Sequence, residues 1–385
     1  MKSKKKVLFF GPIGNDGGRE VEVNLIANAL KENYDLSILC LRKISEDSFA
    51  LKNIDNFKWT VINREIYLKN PVIKVLGWFS KFYNRGNNSP FHYIRNGISK
   101  RIFNFDRLTD DVIEEQIKKV DIVIACVQLT SIYLDKVIAL CNKLKKPIII
   151  RTTGTINLND VNLESIKGAS RFLFHSNQNA NILLNKIKVP YSIIDQCTLQ
   201  EKTLLDLPID VSKPLRYGYL GRLSEEKGIS ELAKYFQNCE HKFLIAGEGP
   251  LKNEILEIIS KNDKCSYFGF VSLGEISSFF KEIDVLIIPS HEESGPLVGL
   301  EALAAGKIII STKVGAMTDR LVETKNQFWI NINDLNTLES EITKLTTSST
   351  VDLRNIAIEN RENYLRNYNF TIIKEQYLSV VKNAI

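Results

Sequence analysis

The chain has 385 residues, of which 44% are hydrophobic and 25% are charged, the balance of an ordinary globular protein. This composition excludes a disordered chain, a collagen-like repeat and a bundle of membrane-spanning helices. The length suggests about two domains, and the net charge of +6 is too mild to indicate nucleic acid binding by itself.

The positions of the cysteine and histidine residues indicate neither disulfide bonds nor a metal site. The six cysteines are far apart and form no C-x-x-C pair, which favours buried free thiols in a reducing compartment. The four histidines show no metal-ligand spacing, so we expect no dedicated metal site. The apolar run Val7–Phe10 is too short for a signal peptide and favours a buried first strand. We therefore expect a cytoplasmic protein.

In the first half of the chain, short apolar runs alternate with helical patterns, which is typical of a parallel sheet covered on both faces. The predicted strands are Val7–Phe10, Leu36–Leu41, Asp121–Val127, Ile148–Ile150 and Phe172–Phe174. Helical patterns cover Glu20–Glu32 and Tyr133–Leu144.

Residues 60–108 break this rhythm. Nine Lys or Arg residues are interleaved there with nine aromatic residues, against only Glu65 and Asp106. Two interpretations stay open: an amphipathic insertion that packs on the first domain, or a surface for anionic lipid or a lipid-phosphate substrate. No recognised nucleic-acid-binding motif occurs in this segment.

The same alternation restarts near residue 216 and predicts a second α/β domain. Its predicted strands are Arg216–Leu220, Lys242–Ile245, Ser266–Phe268, Asp284–Ile288 and Lys307–Ser311. Helices are expected at Ile229–Phe236, Leu251–Ser260 and Leu273–Lys281, from Val298 onward, and over Ile356–Ile385. The segment Leu204–Pro214, with two prolines, is the predicted linker.

A glycine-rich loop, Gly11–Glu20, lies between the first predicted strand and the first predicted helix. Glycines let the backbone approach a ligand, and a helix N-terminus favours an anion. The glycines are not spaced as G-x-G-x-x-G, so a nicotinamide dinucleotide site is not indicated. A plain tight turn is an equally good interpretation of this loop alone.

Two cations, Arg222 and Lys227, follow the first predicted strand of the second domain. A planar guanidinium and a compact ammonium group can together neutralise a diphosphate. The alternative is a pair of surface cations balanced by Glu225 and Glu226.

The densest polar motif places Glu293 and Glu301 eight residues apart, around the predicted start of a helix. In a doubly wound domain, ligands bind at the carboxyl ends of the strands. Free N–H groups at a helix start face a phosphate or a sugar hydroxyl there. A carboxylate inside such a helix is suited to bind the paired hydroxyls of a ribose.

Three motifs occur in order: G-R-L-x-x-x-K-G at Gly221–Gly228, A-G-x-G-P at Ala246–Pro250, and E-x7-E at Glu293–Glu301. Over about residues 216–325 the chain resembles the family 4 retaining glycosyltransferases of GT-B architecture. The resemblance implies two Rossmann-like, doubly wound domains that face across a cleft. They would be an acceptor-side domain at 1–205 and a nucleotide-sugar domain at 206–365, with a C-terminal helix at 366–385 that packs back on the first.

The resemblance also implies a function. A sugar would move from a nucleotide-diphosphate sugar to a saccharide or lipid-linked acceptor, with retention and without a metal or other cofactor. The product would belong to a surface polysaccharide, made at the inner face of the membrane. Peripheral contact with anionic membrane would fit this role, and nucleic acid is not an expected partner.

The same resemblance assigns roles to residues. Arg222 and Lys227 would hold the diphosphate, Glu301 the ribose hydroxyls, and Glu293 would lie beside the transferred sugar. Glu293, Arg222 and Lys227 would therefore be catalytic. The other implied donor contacts are Gly17, Gly18, Phe270, Val271, Gly295, Leu297 and Val298.

This chain departs from the family pattern at three places. One is Gln196-Cys197, where relatives often have Asn-Gly after a strand near the domain boundary. Pro296 has no N–H, which removes one donor to the sugar. Where relatives often carry a histidine near the sugar, this chain has Arg151–Thr155: either Arg151 or Thr153 substitutes for it, or the site differs. A catalytically silent nucleotide-sugar-binding protein, or another GT-B enzyme such as a sugar-nucleotide epimerase, is the alternative to the transferase.

Overall fold

The chain forms two compact α/β units in a computed structural model that describes residues 4–41, 43–55 and 57–385. The first unit comprises Met1–Phe174, Ile182–Ser192 and Gln376–Ile385, and the second comprises His175–Asn181 and Ile193–Glu375. The segment Leu204–Pro214, predicted as a linker, lies within the second unit. Its apolar side chains Leu204, Leu207 and Val211 are buried there, which explains why it does not behave as a free connection.

The first unit is built on a seven-stranded sheet. Its strands are β1 (Lys5–Gly11), β2 (Tyr34–Cys40), β3 (Lys58–Val61), β4 (Ile122–Val127), β5 (Ile148–Thr152), β6 (Arg171–Phe174) and β7 (Tyr191–Ile193). They lie in the order β3-β2-β1-β4-β5-β6-β7. The pairs from β3 through β6 are parallel. From β1 the chain adds β2 and β3 on one side and then β4 to β7 on the other. The loop after β1 therefore lies at a topological switch point.

Eight α-helices accompany these strands in the described part of the chain. They are α1 (Gly18–Leu30), α2 (Ile62–Lys69), α3 (Pro71–Tyr83), α4 (Gly97–Ile102), α5 (Phe105–Lys118), α6 (Leu134–Lys143), α7 (Leu163–Ile166) and α8 (Asn177–Leu184). The segment 60–108 therefore begins inside β3 and ends inside α5, and most of it is helical.

The second unit has a six-stranded sheet of the same kind. Its strands are β8 (Arg216–Leu220), β9 (Lys242–Ala246), β10 (Cys265–Gly269), β11 (Val285–Ile288), β12 (Ile308–Thr312) and β13 (Phe328–Ile330). They lie in the order β10-β9-β8-β11-β12-β13, and all described pairs are parallel. The core between sheet and helices includes Phe236 and Phe243, whose rings stack at 4.1 Å between centroids.

The helices of the second half complete the molecule. They are α9 (Glu201–Leu205), α10 (Ile229–Phe236), α11 (Lys252–Ile259), α12 (Ile276–Lys281), α13 (Leu297–Ala304), α14 (Met317–Leu321), α15 (Leu335–Thr347), α16 (Thr350–Asn367) and α17 (Phe370–Ala384). Helix α17 begins in the second unit, and its last residues belong to the first. Among the described helices, none combines the length and the apolar character that crossing a bilayer requires.

Every predicted strand overlaps an observed strand, which confirms the α/β class. Strands β3, β7 and β13 were not predicted from the sequence, and all three are edge strands of their sheets. Polar residues interrupt β3 and β7, and β13 has only three residues. None of the three therefore has the apolar run of four to six residues that marks β4 or β11.

Candidate functional site

The second sheet places two polar loops side by side. Strands β8 and β11 are neighbours, and the chain continues from β8 to β9 on one side and from β11 to β12 on the other. This arrangement is a topological switch point, where open α/β sheets bind their ligands beyond the carboxyl ends of the strands. The loops that follow are Gly221–Gly228 and Pro289–Pro296, which carry the predicted cations and Glu293.

The loop after β8 is held by its backbone. The hydroxyl of Tyr219 donates to the carbonyl of Arg222 at 2.7 Å, and the N–H of Leu223 donates to the carbonyl of Glu248 at 2.9 Å. Gly228 has φ of 66°, and a Cβ there would lie 2.2 Å from the carbonyl oxygen of Pro289. Only glycine therefore allows this loop to approach the loop after β11 so closely.

Two predicted catalytic residues meet in this site. The ammonium of Lys227 donates to Oε1 of Glu293 at 2.6 Å, and the hydroxyl of Ser290 donates to the same oxygen at 3.0 Å. Arg222, on the same loop as Lys227, is exposed and has no ion-pair partner among the residues that the structure describes. One cation is thus fixed by a carboxylate, while the other is available to an anion.

Helix α13 contributes backbone donors to the same region. Its first residues, Leu297 and Val298, have N–H groups that no intrahelical carbonyl can accept, as at any helix start. Gly299 donates to the carbonyl of Pro296 at 3.0 Å, which closes the first turn. Pro296 itself occupies the N-cap, where its missing N–H disturbs no helical hydrogen bond.

Glu301 lies one turn inside α13 and is almost fully buried, with 4% of its surface exposed. Within residues 4–41, 43–55 and 57–385, its carboxylate has no hydrogen-bond or ion-pair partner. Burial raises the pKa of this carboxyl to about 7. A buried carboxylate without a partner is costly for the fold and is suited to accept hydrogen bonds from ligand hydroxyls.

We expect Glu301→Gln to raise the melting temperature relative to the wild type, increasingly so from pH 5 to pH 8. The folded chain keeps the Glu301 proton between the unfolded pKa near 4.5 and the folded value near 7. Stability from this group is therefore complete below pH 4.5 and is lost as the pH rises through 7, by about 3 kcal/mol. Thermal melts of both proteins across this range measure the difference. A difference in melting temperature that stays constant with pH would contradict the raised pKa of Glu301.

Three residues that the sequence analysis missed hold the loop before α13. Asn179 donates from Nδ2 to the carbonyl of Ser294 at 2.7 Å. Arg320 donates from Nη1 to the carbonyl of Pro296 at 2.5 Å and from Nε and Nη2 to both carboxylate oxygens of Asp195 at 2.7 Å. These buried side chains fix the backbone that presents the helix start.

Little in the sequence could have identified them. Asp195 follows the apolar pair Ile193–Ile194, which is a weak signal for a polar group at a strand end. Arg320 lies in a helix with no motif around it, and its complete burial depends on tertiary packing. The absence of a side chain at Gly295 leaves room for the Arg320 guanidinium, since a Cβ on Gly295 would lie 3.2 Å from Nη2 of Arg320.

The predicted base-stacking residues lie on the loop after β10, two strands from β8. Phe270 is 67% exposed, and Val271 beside it is half-buried. Gly269 precedes them with φ of 103°, a conformation that turns the chain sharply as it leaves the strand. An exposed aromatic ring of this kind is available for stacking on a flat ligand.

Gly17 and Gly18 lie in the first unit, where they open helix α1. The N–H of Gly14 donates to Oε1 of Glu20 at 2.6 Å, so a carboxylate from the first turn of the helix closes the loop. Gly17 has φ of 131°, and a Cβ there would lie 2.9 Å from Oε2 of Glu20. Gly18 faces open space, since a Cβ on it would meet no other part of the described chain within 4 Å.

The two candidate replacements for the family histidine both form polar contacts within the first unit. Arg151 is wholly buried and pairs with Glu22 at 2.8 Å, and the hydroxyl of Tyr377 donates to the same carboxylate at 2.7 Å. Thr153 accepts a hydrogen bond from Nε of Arg19 at 3.2 Å. Arg151 thus takes part in an internal ion pair that also involves the end of α17.

No three His, Cys, Asp or Glu side chains are grouped as metal ligands in the described ranges of the chain. The six cysteines are free, and the four buried ones are Cys40, Cys126, Cys141 and Cys197.

A comparison with protein families finds a match in the second half of the chain. Residues 209–364 match the model of the family described as "Glycosyl transferases group 1". The matched range contains both loops at the switch point of the second sheet and helix α13. It also contains Arg320, which anchors the loop before that helix.

Relatives and solved structures agree with this match. The chain is 24% identical to an uncharacterized glycosyltransferase, MJ1178, of Methanocaldococcus jannaschii, over 60% of this chain and 66% of the relative. It is 28% identical to the capsular polysaccharide biosynthesis glycosyltransferase CapM of Staphylococcus aureus, over 33% of this chain and 36% of the relative. The chain thus spans less than two thirds of the length of these curated relatives.

The fold is similar to that of HepE from Anabaena, which was crystallised with UDP-glucose. The TM-score is 0.69 at 13% identity, over 98% of this chain and 100% of HepE. A likeness at this identity concerns the fold, and it confirms the GT-B class that the motifs predicted. Over residues 209–364 the chain is similar to the group 1 glycosyl transferases, and it has the GT-B fold.

Proposed function

We propose that the protein is a retaining glycosyltransferase that uses a nucleoside-diphosphate sugar as donor. The observation that carries the proposal is the contact between Lys227 and Glu293, made by two loops at the switch point of the second sheet. The first loop carries the ordered cation and an exposed Arg222, and the second leads directly into the start of α13. The complex of HepE with UDP-glucose supports this class of donor.

The chemistry needs positive charge where the diphosphate leaves. As the sugar departs, its anomeric carbon gains oxocarbenium-like character and negative charge accumulates on the leaving phosphate. Arg222 would hold phosphate oxygens with its planar fork, and Lys227 would stabilise the developing charge. The N–H groups of Leu297 and Val298 would add donors from the helix start. These groups would supply the stabilisation without a metal, so activity should persist in EDTA.

Donor recognition would use the remaining residues of the second unit. Glu301 would accept hydrogen bonds from the two ribose hydroxyls, which would relieve the cost of its burial. Phe270 and Val271 would contact the base, and Gly295 would lie near the sugar. Glu293 would hold Lys227 in place and lie beside the transferred sugar.

We propose a saccharide or lipid-linked acceptor and a role in surface polysaccharide biosynthesis. The support is the named role of CapM in capsular polysaccharide biosynthesis. An assay that separates the two acceptor classes would offer soluble oligosaccharides and polyprenyl-diphosphate-linked saccharides with the same donor. The anomeric configuration of the product, read by NMR, tests retention.

The direct test is a thermal-shift screen with UDP, GDP, ADP, CMP and NAD, with and without magnesium. We expect one nucleoside diphosphate, at about 100 times its Kd, to raise Tm by roughly 5 °C. Arg222→Ala should abolish most of this rise without lowering the Tm of the free protein, because Arg222 is exposed and forms no ion pair within the described ranges. Arg354→Ala, an exposed arginine on α16, is the matched control and should leave the rise unchanged.

Other outcomes separate the alternatives. A shift with NAD alone would overturn the proposed donor class. Binding of a nucleotide sugar without release of nucleoside diphosphate, whatever acceptor is offered, would identify a silent binding protein. Interconversion of the sugar without transfer would identify an epimerase.

A further inference from the structure

Helix α3 presents an apolar face to solvent, the reverse of an ordinary surface helix. Its exposed residues are Val72, Val75, Trp78, Phe79, Phe82 and Tyr83, each at least half exposed. At about 100° per residue, these positions occupy an arc of about 140° around the helix. Isolated exposed apolar residues are normal, but a continuous aromatic face of this kind indicates an interaction surface.

The opposite face of α3 fixes this orientation. Ile73 and Gly77 are buried, and a Cβ on Gly77 would lie 3.0 Å from the carbonyl oxygen of Pro90. Asn70 caps the helix by accepting from the N–H of Ile73 at 3.1 Å. The small residue lets the helix lie close against the chain at Pro90–Tyr93, and turning the aromatic residues inward would break this packing.

One flank of the apolar face is basic. Lys74, Lys81 and Arg85 follow each other along it, and Nζ of Lys81 lies 5.4 Å from the ring centre of Trp78. Between residues 66 and 105 the sequence contains seven Lys or Arg and no Asp or Glu. The face therefore combines apolar area with positive charge over its whole length.

Helix α4, which contacts α3, continues the pattern. Ile98 and Ile102 lie one turn apart and are 58% and 61% exposed. Lys100 and Arg101 are exposed beside them. The two helices together form a surface that we call the aromatic-basic face, defined by α3, α4 and Arg85.

A shallow cavity of about 430 Å³ opens on this face. It is lined by Trp78, Lys81, Phe82, Arg85 and Gly86. The two cations, Lys81 and Arg85, line the cavity together with the aromatic rings. This arrangement suits a phosphate at the boundary between an apolar layer and water, because the rings enter the layer while the cations meet the phosphate.

We propose that the aromatic-basic face docks on an anionic lipid bilayer, with Trp78, Phe79 and Phe82 inserted among the acyl chains. Charge complementarity favours this occupant: each Lys or Arg near an anionic surface adds attraction, and the apolar arc supplies the insertion. A second copy of the chain would bring cations against cations. This inference does not depend on the proposed transfer reaction, since it concerns lipid alone.

Co-sedimentation with vesicles tests the proposal. We expect binding to vesicles of phosphatidylglycerol and phosphatidylcholine, weakening at least tenfold between 50 and 500 mM salt, conditions of roughly 14 and 4 Å Debye length. Binding to phosphatidylcholine alone should be at least tenfold weaker. Phe79→Ser with Phe82→Ser should lower binding more than tenfold. Ile132→Ser is the matched control, because Ile132 and Phe79 are both 68% exposed.

Charge variants and fluorescence complete the test. Lys74→Glu, Lys81→Glu and Arg85→Glu together should abolish binding, whereas Lys186→Glu with Lys188→Glu, exposed lysines elsewhere, should not. With Trp59→Phe and Trp329→Phe, the remaining Trp78 should shift to shorter wavelength on vesicles and be quenched by brominated acyl chains. Binding without quenching would overturn insertion.

Two further measurements keep the outcome clear. Circular dichroism and thermal melts of each variant show whether loss of binding comes from loss of folding. The wild type could fail to bind anionic vesicles and form dimers that the double variant Phe79→Ser/Phe82→Ser does not form. In that case the face binds a second copy, and the proposal is wrong. A normal Tm response to nucleoside diphosphates in that case would leave the proposed donor site intact.

Discussion

Replacing Lys227 with alanine is expected to lower kcat/KM for sugar transfer by roughly 100- to 1000-fold, the usual cost of removing one fixed donor from a developing oxyanion. Lys227 is suited to this role because Glu293 and the loop after β8 fix its ammonium before any ligand arrives. Stabilisation of charge that grows only in the transition state should appear mainly in kcat. Initial rates of nucleoside diphosphate release measure the effect.

A control variant and a double variant test this prediction. Lys234→Ala, an exposed lysine on α10, changes the net charge equally and should leave kcat/KM within about twofold of the wild type. Adding Glu293→Gln to Lys227→Ala separates two roles of the carboxylate. If Glu293 acts only by holding Lys227, the second substitution adds no further loss. An unchanged kcat in Lys227→Ala would remove Lys227 from the charge-stabilising role.

The motifs of the second half predicted the fold and the local placement of the polar loops well. Glycine spacing, strand patterns and helix starts are local properties, and they located the loops after β8 and β11. The contact of Lys227 with Glu293 joins residues 66 positions apart. It depends on β8 and β11 being neighbours in the sheet, and strand order cannot be derived from the periodicity of single segments.

For the segment 60–108, the sequence could not show which side of the helices faces solvent. Its aromatic and basic residues fit either a packed insertion or a lipid surface, because a helical pattern shows which residues share a face but not which face is covered. The structure buries Ile73 and Gly77 and exposes Phe79 and Phe82. The smallest residue of the helix, rather than its largest ones, marks the packed side.

Arg151 is one of two candidates to replace the family histidine. Its side chain is wholly buried and paired with Glu22. Tyr377, from the end of the chain, completes the pair with a hydrogen bond to Glu22. Because this partner lies more than 200 residues away, no local pattern around Arg151 could have revealed the ion pair.

Replacing Arg320 with methionine is expected to destabilise the protein by about 3–5 kcal/mol, the cost of leaving a buried charge without its partner. Arg320 is fully buried, and it donates to both carboxylate oxygens of Asp195 and to the carbonyl of Pro296. Methionine keeps much of the volume, so the loss comes from the unpaired Asp195 and the freed carbonyl. For a unit of this size, Tm should fall by roughly 10 °C.

A second substitution distinguishes electrostatics from packing. Asp195→Asn in the Arg320→Met background removes the orphan charge, so it should recover a substantial part of the lost Tm, whereas Asp195→Asn alone should destabilise. The double variant still lacks the hydrogen bond to Pro296, which holds the backbone before α13. Its Tm rise with nucleoside diphosphate should therefore stay below that of the wild type even where folding has recovered. Full recovery of both quantities would mean that Arg320 stabilises the core without positioning the donor loop.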